Sequence, residues 1–469
     1  MLGRLDGQVA ALDEVSVGDT VRDLAAPASS GGLLERARFL EALEASWVDA
    51  IDGRGRLVLV TGEAGIGKTA LVREFCGRQR PRPCVLWGAC DGLRTPRPLA
   101  PFVDVAATAS DGFAETIARG ERPARCYAAL IEELAAAAPT ILVIEDLHWA
   151  DEATLDVMTM LGHRAEIVPA LVIATYRDDE LAADHPLRSV LGELRMGHGV
   201  RRLPLSPLSL EAVEALAAPA GADATDLYRV TGGNPFFVTE VLATGEERVP
   251  PTVRDAVLAR AGRLSRPARG LLEATAVVPG RVEVWLLEAV APDVVERLEE
   301  CVASGMLTAG QLDVGFRHEL ARVAIEESIP PDRRVALHRA VLAALENRQG
   351  ETPDCARLAD HAEAAGDREA VLRWATQAAD EAARGGSHRE AAAQWARALR
   401  FSDGVALATR AGLLGRRVEE CWMTDQFDAA IEAQKEALGC RRRLGDQLAW
   451  TPTLGVAANT TGLVSRRLA

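Results

Sequence analysis

Leu57-Val58-Leu59-Val60-Thr61-Gly62-Glu63-Ala64-Gly65-Ile66-Gly67-Lys68-Thr69 decides the fold of this chain. Its first four residues are a short apolar run bounded by Gly55 and Gly62, the form of a strand buried on both faces of a parallel sheet. Its last eight match the pattern G-x-x-x-x-G-K-[ST] at every fixed position, and Thr69 to Phe75 reads as the start of a helix. Of the 53 basic residues only Lys68 and Lys435 are lysine. A compact ammonium fits the cradle between β- and γ-phosphates, whereas a flat guanidinium is too broad for it. The glycines let backbone N–H groups turn inward, and the helix that follows adds its positive end. ATP or GTP binding with Mg²⁺ is therefore the firmest expectation, with Gly62, Glu63, Ala64, Gly65, Ile66, Gly67, Lys68, Thr69 and Ala70 around the nucleotide. Lys68 would hold the β- and γ-phosphates and the Thr69 hydroxyl would ligate Mg²⁺. A chance glycine-rich turn before a helix is the competing explanation, and it leaves the full eight-residue match unexplained.

Two further apolar runs have the same form as the first. Ile141-Leu142-Val143-Ile144 ends in Glu145-Asp146, and Leu171-Val172-Ile173-Ala174 ends in Thr175-Tyr176-Arg177; Val85-Leu86-Trp87 is a weaker fourth. Strands alternating with helical stretches predict a doubly wound α/β domain with a parallel sheet, whose ligands bind beyond the carboxyl ends of the strands. Ile144-Glu145-Asp146 reads as a Walker B strand end, where one carboxylate serves Mg²⁺ and its neighbour can orient an attacking water. The expectation places Glu145 by the metal and Asp146 by the water. Alternatively, both acids simply cap a helix that begins near Leu147. Arg177, at the position known as sensor 1, is expected to point at the γ-phosphate, against the alternative of an ordinary surface charge. Lys68, Glu145, Asp146 and Arg177 form the candidate catalytic set.

The 469 residues are enough for two to four domains. Residues 1–30 read as weakly ordered, 31–205 as the nucleotide-binding domain and 206–262 as a helical lid. Residues 263–335 read as a winged-helix-like module with a hairpin near Leu307 to Phe316, 336–449 as helical repeats of the tetratricopeptide sort, and 450–469 as an irregular tail. Within the lid, Gly233-Asn234-Pro235 is expected to set Pro235 against the adenine or to be a plain interhelical turn, with Phe236 and Phe237 in the core. The repeats rest on three similar segments, Asp367-Arg-Glu-Ala-Val, His388-Arg-Glu-Ala-Ala and Gln426-Phe-Asp-Ala-Ala, at unequal spacing. A net charge of −15 argues against a large surface for nucleic-acid phosphates. Eight cysteines without C-x-x-C pairing point to neither a zinc site nor a disulfide framework, and so to a reducing cytoplasm. No secretory leader or membrane span is expected.

Four segments together resemble the signal-transduction ATPases with numerous domains, known as STAND. They are Leu59 to Thr69, Glu145-Asp146-Leu147-His148-Trp149-Ala150-Asp151, Ala174-Thr175-Tyr176-Arg177 and Gly232-Gly233-Asn234-Pro235-Phe236-Phe237. The likeness is greatest to the ATPase core of the large LuxR-type bacterial transcriptional regulators and covers roughly Leu33 to Leu345. It implies a nucleotide-binding domain, a helical lid, a winged helix and a superhelical sensor. It also implies a switch in which ADP holds a closed form, while inducer and ATP favour a form that self-associates. Phe316-Arg317-His318-Glu319-Leu320 is similar to the winged-helix segment whose histidine reaches the β-phosphate of ADP, so the resemblance gives His318 that role. Regulators of this kind end in a LuxR-type helix-turn-helix, which no segment here matches. The expectation is a truncated regulator, a natural short form or a protein that signals through a partner, with direct DNA binding disfavoured.

Three functions compete. The first is a slow regulatory ATPase whose repeats receive an unidentified inducer or protein partner and whose nucleotide state sets homo-oligomerisation. The second is an AAA+ type motor that acts on nucleic acid, and the third is an ATP-binding scaffold with little hydrolysis.

Overall fold

A computed structural model describes residues 33–194, 199–244, 252–291, 294–310, 312–348 and 353–444. The segment before Gly31, the tail from Trp450, and Pro250 and Pro251 lie outside the described residues.

The first part of the chain runs α1 (Ala37–Ile51), β1 (Arg56–Thr61), α2 (Lys68–Arg78), β2 (Cys84–Ala89), α3 (Ala100–Ala106), α4 (Asp111–Ala118) and α5 (Pro123–Ala136). It continues through β3 (Thr140–Glu145), α6 (Glu152–His163), β4 (Ala170–Tyr176), α7 (Pro186–Leu194) and β5 (Val200–Pro204). The five strands form one parallel sheet in the order β2-β3-β4-β1-β5. Both faces are buried, which is why the strands read as continuous apolar runs. Leu57 and Leu59 pack with Leu142, Ile144, Val172 and Ala174 on one face; Val58 and Val60 pack with Ile141, Val143, Leu171 and Ile173 under α1 and α2 on the other. Each such buried side chain contributes roughly 1.5–3 kcal/mol. The sequence gives no sign of β5, because Val200-Arg201-Arg202-Leu203-Pro204 is an edge strand whose arginines and proline break the apolar pattern.

The first helix begins at Ala37. Glu35 adopts a left-handed conformation (φ 55°) that ends any helix there. Its carboxylate instead accepts bonds from Ser209 N (2.9 Å) and Oγ (2.5 Å).

The lid comprises α8 (Leu210–Ala217), α9 (Ala224–Thr231), α10 (Pro235–Thr244) and α11 (Val253–Gly262). There follow α12 (Arg266–Ala276), β6 (Arg281–Glu283), α13 (Val284–Val290), α14 (Val294–Ala303), β7 (Leu307–Ala309), β8 (Asp313–Phe316), α15 (Glu319–Ser328) and α16 (Pro331–Asn347). The hairpin β7–β8 gains β6 as a third antiparallel strand, giving a winged-helix-like module. Finally α17 (Cys355–Ala365), α18 (Arg368–Gly385), α19 (His388–Arg400), α20 (Leu407–Met423) and α21 (Phe427–Leu444) stack in sequence as tetratricopeptide-like helix pairs. The three similar segments begin α18, α19 and α21. Among the described residues, no helix is long and apolar enough to cross a membrane.

Candidate nucleotide site

The loop Gly62 to Gly67 leaves the carboxyl end of β1 and delivers Lys68, Thr69 and Ala70 to the first turn of α2. Gly67 precedes that helix with φ 97°, and no side chain caps the turn. Such a turn presents unsatisfied N–H groups and the positive end of the helix dipole, the ordinary means of holding an anion. Gly65 is required twice over. Its φ is 76°, and a Cβ there would lie 2.8 Å from the Phe236 Cβ and 3.0 Å from the Asn234 Oδ1. The lid therefore touches the loop directly: Asn234 Nδ2 donates to the Ala64 carbonyl (2.9 Å) and Phe236 N to the Gly65 carbonyl (3.2 Å). Pro235 lies between these two contacts, at the first position of α10. Phe236 is in the core as expected, yet it is also the wedge between modules, because its ring lies 4.3 Å from that of His318. His318 thus meets the loop through Phe236, and burial pushes its imidazole down to about 3, so that the ring is neutral.

Lys68 is buried, and its Nζ donates to the carbonyls of Gly62 (2.7 Å) and Glu63 (3.0 Å). Burial lowers its pKa, and Asp146 and Arg177 are the leading charges that it feels. The Asp146 carboxyl is pushed up to about 6, first by burial and then by Glu145, while Arg177 and Lys68 pull it back. Asp146 adopts φ 55° and its N–H donates to the Thr175 Oγ1 (3.0 Å), which ties the ends of β3 and β4 together. Glu145 accepts from Trp87 Nε1 (3.0 Å) through one oxygen, and its other oxygen is buried with no hydrogen-bond partner. The buried Thr61 hydroxyl likewise lacks one. Donors on one side and under-bonded acceptors on the other fit a phosphate chain with a divalent cation. Mg²⁺ commonly takes one or two carboxylates and completes its shell with phosphates and water.

The structure brings Lys68, Asp146 and Arg177 into one electrostatic neighbourhood, with Glu145 beside Asp146. Neither acid caps a helix. Leu147–Trp149 is a single 3₁₀ turn without a side-chain cap, and the cap of α6 is Asp151, which accepts from Ala153 N (3.0 Å) and Thr154 N (3.4 Å). Arg177 is only 7% exposed; it pairs with Glu180 and lies 5.1 Å over the Trp149 ring. It is not an ordinary surface charge.

Several contributors leave no mark on the sequence. Arg36 is buried and donates to the Ile66 carbonyl (3.2 Å) and the Ser206 carbonyl (3.0 Å), joining the loop to the entry of the lid. As one arginine among many it has no sequence signal. Asp151 is 1% exposed and also accepts from Leu99 N (3.0 Å) and from Ser387 Oγ (2.7 Å), at the turn between α18 and α19. Glu152 accepts from Arg389 N (3.1 Å), and Arg97 bridges Asp91 (2.9 Å) to Asp354 (3.1 Å). The repeats are thereby fastened to the segments that follow β2 and β3.

A parallel sheet of this order carrying this loop is a P-loop-like domain. Residues 32–173 match the family model described as AAA ATPase domain. An uncharacterized protein of Rhizobium meliloti (strain 1021) is 29% identical over 412 residues, 72% of this chain and 39% of that protein. The chain thus spans well under half the length of this relative. Among solved structures, a STAND protein with a tetratricopeptide repeat sensor from Pyrococcus horikoshii has a similar fold. It has 15% identity and a TM-score of 0.51, covering 92% of this chain and 67% of that one. Cdc6p from Pyrobaculum aerophilum, with 15% identity and a TM-score of 0.35, covers 70% and 98%.

Proposed function

We propose that this chain is an ATP-binding regulatory switch: a slow ATPase in which ATP with Mg²⁺, exchanged for ADP, alters how lid, winged-helix-like module and repeats sit on the nucleotide domain. The observation that carries this reading is that, among the described residues, discrete side-chain contacts join the site and its surroundings to the other modules. Asn234 and Phe236 join the lid to the loop, Phe236 meets His318, and Asp151, five residues past Asp146, holds Ser387 of the repeats. A motor that cycles steadily has less use for such ties, whereas a two-state device needs discrete contacts that can be traded.

In this reading Lys68 and the loop N–H groups of Gly62 to Ala70 hold the phosphates, and Thr69 with one of the two acids that end β3 holds Mg²⁺. Bound Mg²⁺ would supply charge neutralisation for the γ-phosphate. Of the two acids, Asp146 is the one whose charge Lys68 feels, so we assign it to the metal side. Glu145, held by Trp87, is left to orient water; this reverses the order expected from the sequence. Arg177 supplies positive charge at the γ-phosphate, Pro235 borders the base, and His318 completes the closed form. The repeats would receive an inducer or protein partner, and ATP-loaded chains would self-associate, as in regulators of the LuxR type.

The test is to titrate purified protein with ADP and ATP in the presence of Mg²⁺, follow mass by light scattering, and measure turnover with and without DNA. Slow turnover, copurified ADP and ATP-dependent oligomers are the expected results. DNA-stimulated hydrolysis at about 1 s⁻¹ or faster, an ordinary enzyme rate, would replace the switch with the AAA+ motor reading.

A further inference from the structure

Glu180 lies in the turn after β4. One of its oxygens pairs with Arg177 Nη1, and the other lies 3.5 Å from His148 Nε2. The other ring nitrogen of His148 lies 3.9 Å from Asp146 Oδ1. The His148 ring is buried, and neither of its nitrogens has a hydrogen-bond partner. Arg177, Glu180, His148 and Asp146 are therefore linked in one chain of contacts, and the Arg177 guanidinium lies over the Trp149 ring.

A buried guanidinium needs a counter-anion, and leaving it unpaired is costly. Here the anion is supplied by the chain itself, three residues downstream of the arginine. We propose that Glu180 is a positioning residue that competes with the terminal phosphate of a nucleoside triphosphate for Arg177, and so sets the preference of the site between triphosphate and diphosphate. This inference rests on the reading of the site as an ATP site.

The consequences follow from exchange. A diphosphate does not reach the arginine, so Glu180 keeps it and diphosphate affinity is independent of Glu180. A triphosphate gains the arginine only after Arg177 leaves Glu180, so part of that contact is spent on breaking the existing pair. The side chain of Glu180 is 39% exposed, so the pair is a partly solvated one of modest strength. Replacing it should shift selectivity without destroying the site. His148 sits where it would register the same exchange, since moving Glu180 changes what faces its Nε2 while Asp146 continues to face its Nδ1.

The experiment is a set of binding titrations with ADP and with a non-hydrolysable ATP analogue, each with Mg²⁺, on the full chain and on E180Q, E180D, R177Q and the double variant R177Q/E180Q. The expected result is a gain of about fivefold in triphosphate affinity for E180Q, the size of a modest ion pair, with ADP affinity unchanged. E180D, which keeps the charge, should stay near the parent. In the R177Q background the Glu180 substitution should change nothing. Equal shifts for both nucleotides, no shift in E180Q, or a shift that persists without Arg177 would each overturn the inference while leaving nucleotide binding intact. A parent protein that binds neither nucleotide would overturn the site reading itself, and this inference with it.

Discussion

Asp146 and Asp151 are five residues apart, and their surroundings differ in kind. Around Asp146 polar groups are under-bonded: Glu145 keeps a buried oxygen without a partner, His148 has two such nitrogens, and Asp146 is pushed up to about 6 by burial and by Glu145. Around Asp151 the bonding is dense, with donors from Leu99, Ala153, Thr154 and Ser387 on one carboxylate. Buried polar groups in folded proteins are almost always satisfied, so a cluster that is not is where a ligand belongs, and one that is saturated is structural. In the proposed reading the first region binds and the second fastens. Because one short segment joins them, a change in the first has a direct route to the second.

Removing Lys68 attacks the first region alone and has the largest expected effect. Lys68→Ala should lower ATP and ADP affinity by ~100-fold or more, since it deletes charge-assisted bonds to phosphate. Thermal stability should fall little, because the ammonium bonds only to two loop carbonyls. Undiminished affinity in a calorimetric titration would show that the loop is not the cradle.

Asp151→Ala attacks the second region. It removes the cap of α6 and strands the N–H of Leu99 and the hydroxyl of Ser387 in a buried place. A loss of about 3 kcal/mol in a denaturant melt is expected, from several unsatisfied groups at once. Nucleotide binding, lost in Lys68→Ala, should persist here. If Asp151→Ala abolished binding but left stability untouched, the division between the two regions would be wrong.

Asp146→Asn tests the boundary between them. The residue keeps its shape and backbone bond to Thr175 but loses its charge, so ATP should still bind while turnover falls by about 100-fold or more, as for loss of one catalytic electrostatic contact. If self-association follows the triphosphate state, this variant should form oligomers with ATP, seen by light scattering.

How much of this was legible in the sequence depended on whether a residue's work is local. The P-loop, the Walker B acids and Arg177 lie on strand ends that announce themselves by apolar runs, and the parallel sheet followed from them. The lid contact was half legible: Gly233-Asn234-Pro235 stood out as a turn, yet that Asn234 and Phe236 rest on Ala64 and Gly65 depends on tertiary packing. The tie from Asp151 to Ser387 spans 236 positions, and neither residue type is unusual for a helix start, so no local pattern could pair them. Strand β5 escaped because an edge strand need not be apolar. The preference for Glu145 at the metal followed from strand position alone; that Lys68 feels the charge of Asp146 depends on tertiary placement, and the proposed reassignment rests on that.

The pH dependence of the second region sharpens the comparison. Glu390, the third residue of α19, is pushed up to about 8 by burial and by the charge of Asp151, and one of its oxygens lacks a partner. The folded value lies above the unfolded one, so between roughly pH 4.5 and pH 8 the native state holds a proton that the unfolded chain has released. This contribution to stability is full below pH 4.5 and is lost as pH rises through 8. Melting temperature between pH 6 and pH 9 should therefore fall more steeply in the parent than in Glu390→Gln, which cannot ionise. Parallel curves would remove Glu390 from the fastening.

The smallest effect is expected from Ser387→Ala, which removes one hydroxyl from the turn between α18 and α19. Asp151 keeps its bonds from Leu99, Ala153 and Thr154, so it is not stranded, and global stability should drop by only about 1 kcal/mol. The local consequence is larger than the global one. Ser387 is fully buried, and its bond to Asp151, like that of Arg389 N to Glu152, joins this turn to the start of α6. Backbone amides at the start of α19 and of α6 should exchange hydrogen faster in Ser387→Ala, while those of α2 at the P-loop stay protected. Faster exchange at α2 as well would mean that the two regions open as one unit, and the route from Asp146 to Ser387 would then be a rigid block instead of a tie that can be traded.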